Sequence, residues 1–177
     1  MWLKRVMAAL NAAFPEVTPP TWGQCERLLP HVLTVAAALP ESAEDQELAE
    51  ALQKAARYLY DRARYKQAEP LGQRALRIGQ QIWGPEHPQV ASMLCDLAYL
   101  YYALGHYQQA EPLFQRALCI WEQVLGPAHP ALVRPLNGLG ALYWKQGKYD
   151  QAERAYQRAC SILEQAPGES ILVPRIC

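Results

Sequence analysis

A fourteen-residue phrase occurs three times at a spacing of forty-two residues. From Ala63 it reads ARYKQAEPLGQRAL, from Gly105 GHYQQAEPLFQRAL and from Gly147 GKYDQAERAYQRAC. The first two copies agree at ten of fourteen positions, the second and third at eight. Tyr65, Tyr107 and Tyr149 fall in register, as do Ala68, Ala110 and Ala152, and Ala75, Ala117 and Ala159. A period in this range belongs to stacked supersecondary units, none of which buries its apolar face alone. Such arrays present extended surfaces and bind partners rather than transform substrates.

Each unit reads as two helices. Apolar residues recur at three- and four-residue spacing, as in Val90, Leu94, Leu97, Ala98 and Tyr101. The break Leu104-Gly105-His106 follows, where glycine can take the left-handed conformation that stops a helix. A second helix begins near Tyr107 and carries Ala110, Leu113, Phe114, Ala117, Leu118 and Trp121 on its inner side. Pro70 and Pro112 are expected in the first turn of that helix, where a missing backbone donor costs little. The linkers GPEHP (Gly84 to Pro88) and GPAHP (Gly126 to Pro130) close the units. In each, glycine ends one helix and the second proline opens the next. The small residues Ala56, Ala98 and Gly140 on the first helices face Ala68, Ala110 and Ala152 on the second, because closely packed helices leave no spare volume there.

Composition excludes several function classes. The 177 residues carry seventeen basic and seventeen acidic side chains, so no electrostatic footprint for nucleic acid or an anionic membrane is visible. No apolar run is long enough to span a bilayer, and Asn11 and Pro15 interrupt any signal-peptide layout. The five scattered cysteines are expected as buried reduced thiols, and the chain as cytoplasmic. No GxxxxGK phosphate loop is present, and Gly138-Leu139-Gly140 lacks the strand that a dinucleotide fingerprint needs. His87 and His129 are repeat-equivalent linker residues, while His31 and His106 stand alone, so no metal-ligand spacing emerges. No catalytic residue, metal or cofactor is expected, and the chain is not read as an enzyme.

Together Leu94, Leu97, Ala98, Tyr101, Gly105, Tyr107, Ala110, Phe114 and Ala117 resemble the signature of the tetratricopeptide repeat. The resemblance runs over roughly residues 46–165. The forty-two-residue unit with its LGPxHP-type linker is similar to the long repeats of kinesin light chains and many bacterial multidomain proteins. It implies an all-α fold, a right-handed α-solenoid of stacked antiparallel helix hairpins with an N-terminal helical cap. The expected divisions are a cap over 1–45, repeats over about 46–87, 88–129 and 130–166, and a tail over 167–177. Within the cap, Thr21 is expected as an N-cap with Gln24 completing a capping box, and Pro30 should bend the second helix. AALNAAFPEV followed by TWGQCERLLPHVLTVA also resembles the stretch joining a winged-helix domain to long repeats in bacterial signal-transduction ATPases related to NOD-like receptors.

The resemblance places the first helix of each unit along a concave peptide-binding groove. It implies Gln53, Lys54, Arg57, Tyr60 and Asp61 from the first unit, then Cys95, Asp96, Tyr99, Tyr102 and Ala103 from the second. The third contributes Asn137, Gly138, Ala141, Trp144 and Lys145. Asparagines are implied where Gln53, Cys95, Asp96 and Asn137 stand, to hold a peptide backbone, and only Asn137 keeps that residue. Lys54 and Arg57 near Tyr60 and Tyr99 suit an acidic or aromatic ligand. At the far end Leu136, Leu139, Leu142, Tyr156 and Ile162 are expected at an open edge, covered by the Ile171-Leu172-Val173 tail, by a second copy or by further repeats. LVPR in that tail also resembles part of a protease-site tag, which Ile176 and Cys177 do not complete. Three readings follow: a ligand-sensing module of a signalling ATPase with a protein or peptide ligand, a free-standing peptide-docking adaptor of kinesin-light-chain style, or a solenoid that self-assembles through its open edge.

Overall fold

The structure is a computed structural model that describes residues 2–40, 43 and 45–165. It contains α1 (Trp2–Ala13), α2 (Trp22–Ala38), α3 (Gln46–Asp61), α4 (Tyr65–Trp83), α5 (Pro88–Ala103), α6 (Tyr107–Leu125), α7 (Val133–Lys145) and α8 (Tyr149–Gln165). Short 3-10 turns, Pro19–Thr21 and Pro130–Leu132, lead into α2 and α7, and no strand occurs among the described residues. The segment expected as a tail, 167–177, lies outside the described residues.

The hairpins α3–α4, α5–α6 and α7–α8 stack in order, with α4 against α5 and α6 against α7. The first helices also touch one another, α3 to α5 and α5 to α7, whereas α4, α6 and α8 make no such contacts among the described residues. The array therefore closes toward the side of α3, α5 and α7, and the fold is an α-solenoid. Leu52, Leu59, Leu94, Phe114, Ile120 and Leu142 are fully buried along its axis. Ala68, Ala98, Ala110 and Ala152 are buried where the helices of each hairpin cross.

Local chemistry sets the helix ends. Asp45 caps α3, its carboxylate accepting from the Leu48 amide at 3.1 Å. The imidazole Nδ1 of His87 accepts from the Gln89 amide, and that of His129 from the Ala131 amide, both at 3.1 Å. The two linker histidines are thus equivalent helix caps. Gly105 ends α5 with φ +79°, and Ala63 takes the same left-handed place after α3 with φ +56°.

Helices α1 and α2 both pack on α3, covering the outer face of the first repeat. The Asn11 amide donates to Glu47 at 2.6 Å and Glu50 at 2.8 Å, and Arg74 of α4 donates to the carbonyls of Ala36, Leu39 and Pro40 at the end of α2. Thr21 does not cap α2: its hydroxyl donates to the Glu16 carbonyl at 2.6 Å, and Gln24 reaches the Ala13 carbonyl. The preceding turn Pro19–Thr21 redirects it. Pro30 lies on an exposed face of α2, which runs unbroken to Ala38.

Three expectations are corrected. Pro70 and Pro112 sit one turn deeper than the first turn, because α4 and α6 begin at Tyr65 and Tyr107. Both are exposed, so water can serve the carbonyl left without a donor. Of the residues expected at an open edge, Leu136, Leu139, Leu142 and Ile162 are buried by the packing of α7 on α6 and α8, and only Tyr156 is exposed. Cys25 and Cys95 are buried and Cys160 is half-buried, but Cys119 lies on the outer face of α6, exposed. None of the described helices is long and apolar enough to cross a membrane.

Candidate functional site

The inner face of α3, α5 and α7 carries a polar network that joins all three helices. Gln53 on α3 donates to Asp96 Oδ2 on α5 at 2.7 Å and to Ser92 Oγ at 3.2 Å, and it accepts from Gln89 at 3.2 Å. Arg134 on α7 forms a close ion pair with the other Asp96 oxygen. The Arg134 guanidinium also lies 5.4 Å from the centre of the Tyr99 ring, whose hydroxyl donates to the Arg134 carbonyl at 2.7 Å. Burial opposes the Arg134 charge, yet Asp96 outweighs it and raises the guanidinium pKa above its ordinary value. Burial likewise pushes the Tyr99 hydroxyl up.

Beside this network a pocket of about 230 Å³ opens on the inner face. Gln53, Arg57, Tyr60, Asp61, Asp96, Tyr99 and Arg134 form its walls and mouth, while Ala56, Ala68, Gly72, Ala75, Met93, Leu97 and Leu100 line its depths. The polar groups lie on the first helices because their side chains face the closing side of the array. The apolar lining comes from α4 and from the core side of α3 and α5.

The residues expected in the groove therefore divide. Gln53, Arg57, Tyr60, Asp61, Asp96 and Tyr99 converge on one pocket. Tyr102, Ala141, Trp144 and Lys145 lie beyond its lining, at the C-terminal ends of α5 and α7, and Asn137 is exposed on α7. Tyr60 and Tyr102 pack at a tilt against Tyr65 and Tyr107, and Trp144 packs edge-on against Tyr149, with centroids 5.5, 5.6 and 5.0 Å apart, so each ring braces its own hairpin.

Cys95 offers nothing to a ligand. It is fully buried, and burial raises its thiol to about 12. Position 95 turns toward the helix neighbours while Asp96 takes the inner face. Gly138 is covered by the Phe114 ring. The Lys54 ammonium donates to the Asn11 carbonyl at 2.9 Å and so ties α3 to α1 instead of facing the groove. Arg134, Ser92 and Gln89 are additions that the sequence reading missed. Arg134 stands three residues before Asn137 on the same helical face, so extending the stripe by one turn would have found it.

A family model for the tetratricopeptide repeat matches residues 47–120 and, overlapping it, 89–165. The chain belongs to the tetratricopeptide repeat family. The crystal structure of BtubC (BKLC) from P. vanneervenii is 25% identical and covers 86% of this chain with a TM-score of 0.70. This tetratricopeptide repeat chain in turn spans 65% of the length of BtubC. A Podosopora anserina protein described as a kinesin light chain with nearly identical TPR-like repeats is 19% identical, covering 94% of this chain and 86% of that one at TM-score 0.66. A Rap protein complexed with Competence and Sporulation Factor is 19% identical, covering 92% of this chain and 43% of that one at TM-score 0.66. No curated protein matches the sequence.

Proposed function

We propose that this chain is a non-catalytic scaffold that binds a protein or peptide segment along the inner face of α3, α5 and α7. The observation that carries the reading is the pocket bounded by Gln53, Arg57, Asp61, Asp96 and Arg134, where donors and acceptors from three repeats converge. An extended peptide offers backbone donors and acceptors at a spacing that such a mixed surface can meet, with side chains entering the gap between repeats. The resemblance of the α1–α2 segment to the junction in signalling ATPases further supports a sensor role, in which ligand capture by the repeats is relayed to a nucleotide-binding domain. Exposed Trp144, Tyr149, Tyr156 and Leu163 at the α8 end are the residues a second copy would cover if the array self-assembles.

Selection of displayed random peptides on the purified chain tests the reading. Enriched peptides should compete with one another and lose about tenfold or more in affinity against the Arg57→Ala, Asn137→Ala double variant. Peptides that bind the variant as tightly as the wild type would place binding elsewhere and sink the groove.

A further inference from the structure

The forty-two-residue register exposes a difference between the repeats that changes what the groove can hold. Phe114 on α6 and Tyr156 on α8 occupy equivalent places, and the residue of α4 in that place is Gly72. In the second repeat the Phe114 ring is fully buried. It meets Tyr99 edge-to-face at 4.9 Å and presses so closely on Gly138 that an added Cβ would lie 2.4 Å from it. In the third repeat Tyr156 makes a different contact, covering Gly140 of its own hairpin, with an added Cβ 2.7 Å from the ring.

One repeat earlier the same three places are held by Gly72 for Phe114, Arg57 for Tyr99 and Asp96 for Gly138. The ring is gone, and two charges stand where its packing partners stood. All three residues line the 230 Å³ pocket. Gly72 remains partly accessible within the middle of the array, and a Cβ added to it would meet only Leu97 Cδ1, at 3.4 Å. Glycine is also a poor choice for a helix interior, so Gly72 is not explained by the stability of α4.

We propose that this pocket is a binding site for an aromatic side chain, of the phenylalanine or tyrosine class, presented by a peptide ligand. The inference deepens the groove reading and rests on it for the peptide, though not for the pocket. Phe114 shows the class of group that the second repeat puts at this place, and with Asp96 standing where Gly138 lies, an incoming ring must sit clear of the Asp96 Cβ. The volume suffices, because an apolar cavity of about 150 Å³ admits benzene. The lining of Ala68, Gly72, Ala75, Leu97 and Leu100 has no polar side-chain atom, so water entering there finds no side-chain partner and an apolar occupant is favoured. At the mouth, Arg57 supplies donors and Asp61 an acceptor to the backbone on either side of the inserted ring.

The test is an amide-resolved NMR titration of the full chain with N-acetyl-phenylalaninamide, against N-acetyl-alaninamide as control. The aromatic probe should shift the Gly72, Leu97 and Leu100 resonances and saturate, and the alanine probe should not. Equal responses to both probes, or shifts confined to other residues, overturn the site; this wild-type result needs no variant. Gly72→Phe restores the ring of the second repeat. It should weaken the aromatic probe by about tenfold or more. Gly72→Ala, the milder change, should keep the fold and weaken the probe less. Undiminished probe binding in a folded Gly72→Phe chain also overturns the proposal. Peptides from the display selection separate the two readings. If they keep full affinity for Gly72→Phe, the pocket is overturned and the groove stands. If no peptide is selected while the probe still saturates at Gly72, the groove reading fails and the aromatic pocket stands.

Discussion

Asp96 on α5 holds Arg134 on α7 with one carboxylate oxygen and Gln53 on α3 with the other, so a single side chain links the first helices of all three repeats. Asp96 has only 15% of its side-chain surface exposed, and the pair is closed over on one side by the Tyr99 ring. That makes the bond different from the surface pairs of this chain, such as Arg64 with Glu26, whose partners are both largely solvated.

The consequence is an asymmetry between two substitutions. Asp96→Ala removes the acceptor for both partners and leaves a half-buried guanidinium, and it should cost about 1–2 kcal/mol after allowing for the solvent that reaches Arg134. Asp96→Asn keeps an oxygen for Gln53 and should cost less. Urea denaturation followed by circular dichroism compares them; equal losses would mean that the link to Gln53 contributes nothing.

Much of this architecture was readable from spacing. The register of Tyr65, Tyr107 and Tyr149 located three hairpins, because each unit must offer its neighbour the same surface. The pocket was less legible, since groove positions are free to differ between repeats and a helical face admits errors of one turn. Cys95 and Asp96 are adjacent, and only the wrap of α5 against α6 decides which of them turns inward. Arg134 has Ser92 and Glu50 as its counterparts, so no recurrence marked it. Thr21 failed as a cap because the cap pattern is local, whereas the turn at Pro19 is set by how α1 meets α2.

Ala63 should be improvable. It is the sole non-glycine with positive φ among the described residues, at the place where the other two units carry Gly105 and Gly147. The left-handed conformation costs an alanine about 1–2 kcal/mol, part of which is offset by the greater freedom of glycine in the unfolded chain. Ala63→Gly should therefore stabilise by about 0.5–1 kcal/mol. A fall in denaturation midpoint would mean that the α3–α4 turn has relaxed around the alanine.

The linker histidines make a graded pair. Both cap a helix through Nδ1, but His87 also stacks on Trp83 with centroids 5.9 Å apart, whereas Leu125 stands in the equivalent place before His129. His129→Ala should cost about 0.5–1 kcal/mol and His87→Ala more, while His87→Asn should recover the capping share alone. Equal costs for the two alanine variants would show that the Trp83 contact adds nothing to stability.

Gly138 and Gly140 lie two residues apart on α7 and both sit under aromatic rings, yet they should respond oppositely to alanine. A Cβ at Gly138 would meet Phe114, whose ring is fully buried and braced by Tyr99, so the clash must be absorbed by the core. Gly138→Ala should destabilise by about 1–2 kcal/mol, after subtracting the helix propensity that alanine brings. A Cβ at Gly140 would meet Tyr156, which is 38% exposed and can swing outward, and the first two repeats already carry Ala56 and Ala98 in that place. Gly140→Ala should be neutral or stabilising by up to about 1 kcal/mol. Thermal unfolding of the two variants side by side decides the matter, and a larger loss at position 140 would mean that Tyr156 is held as firmly as Phe114.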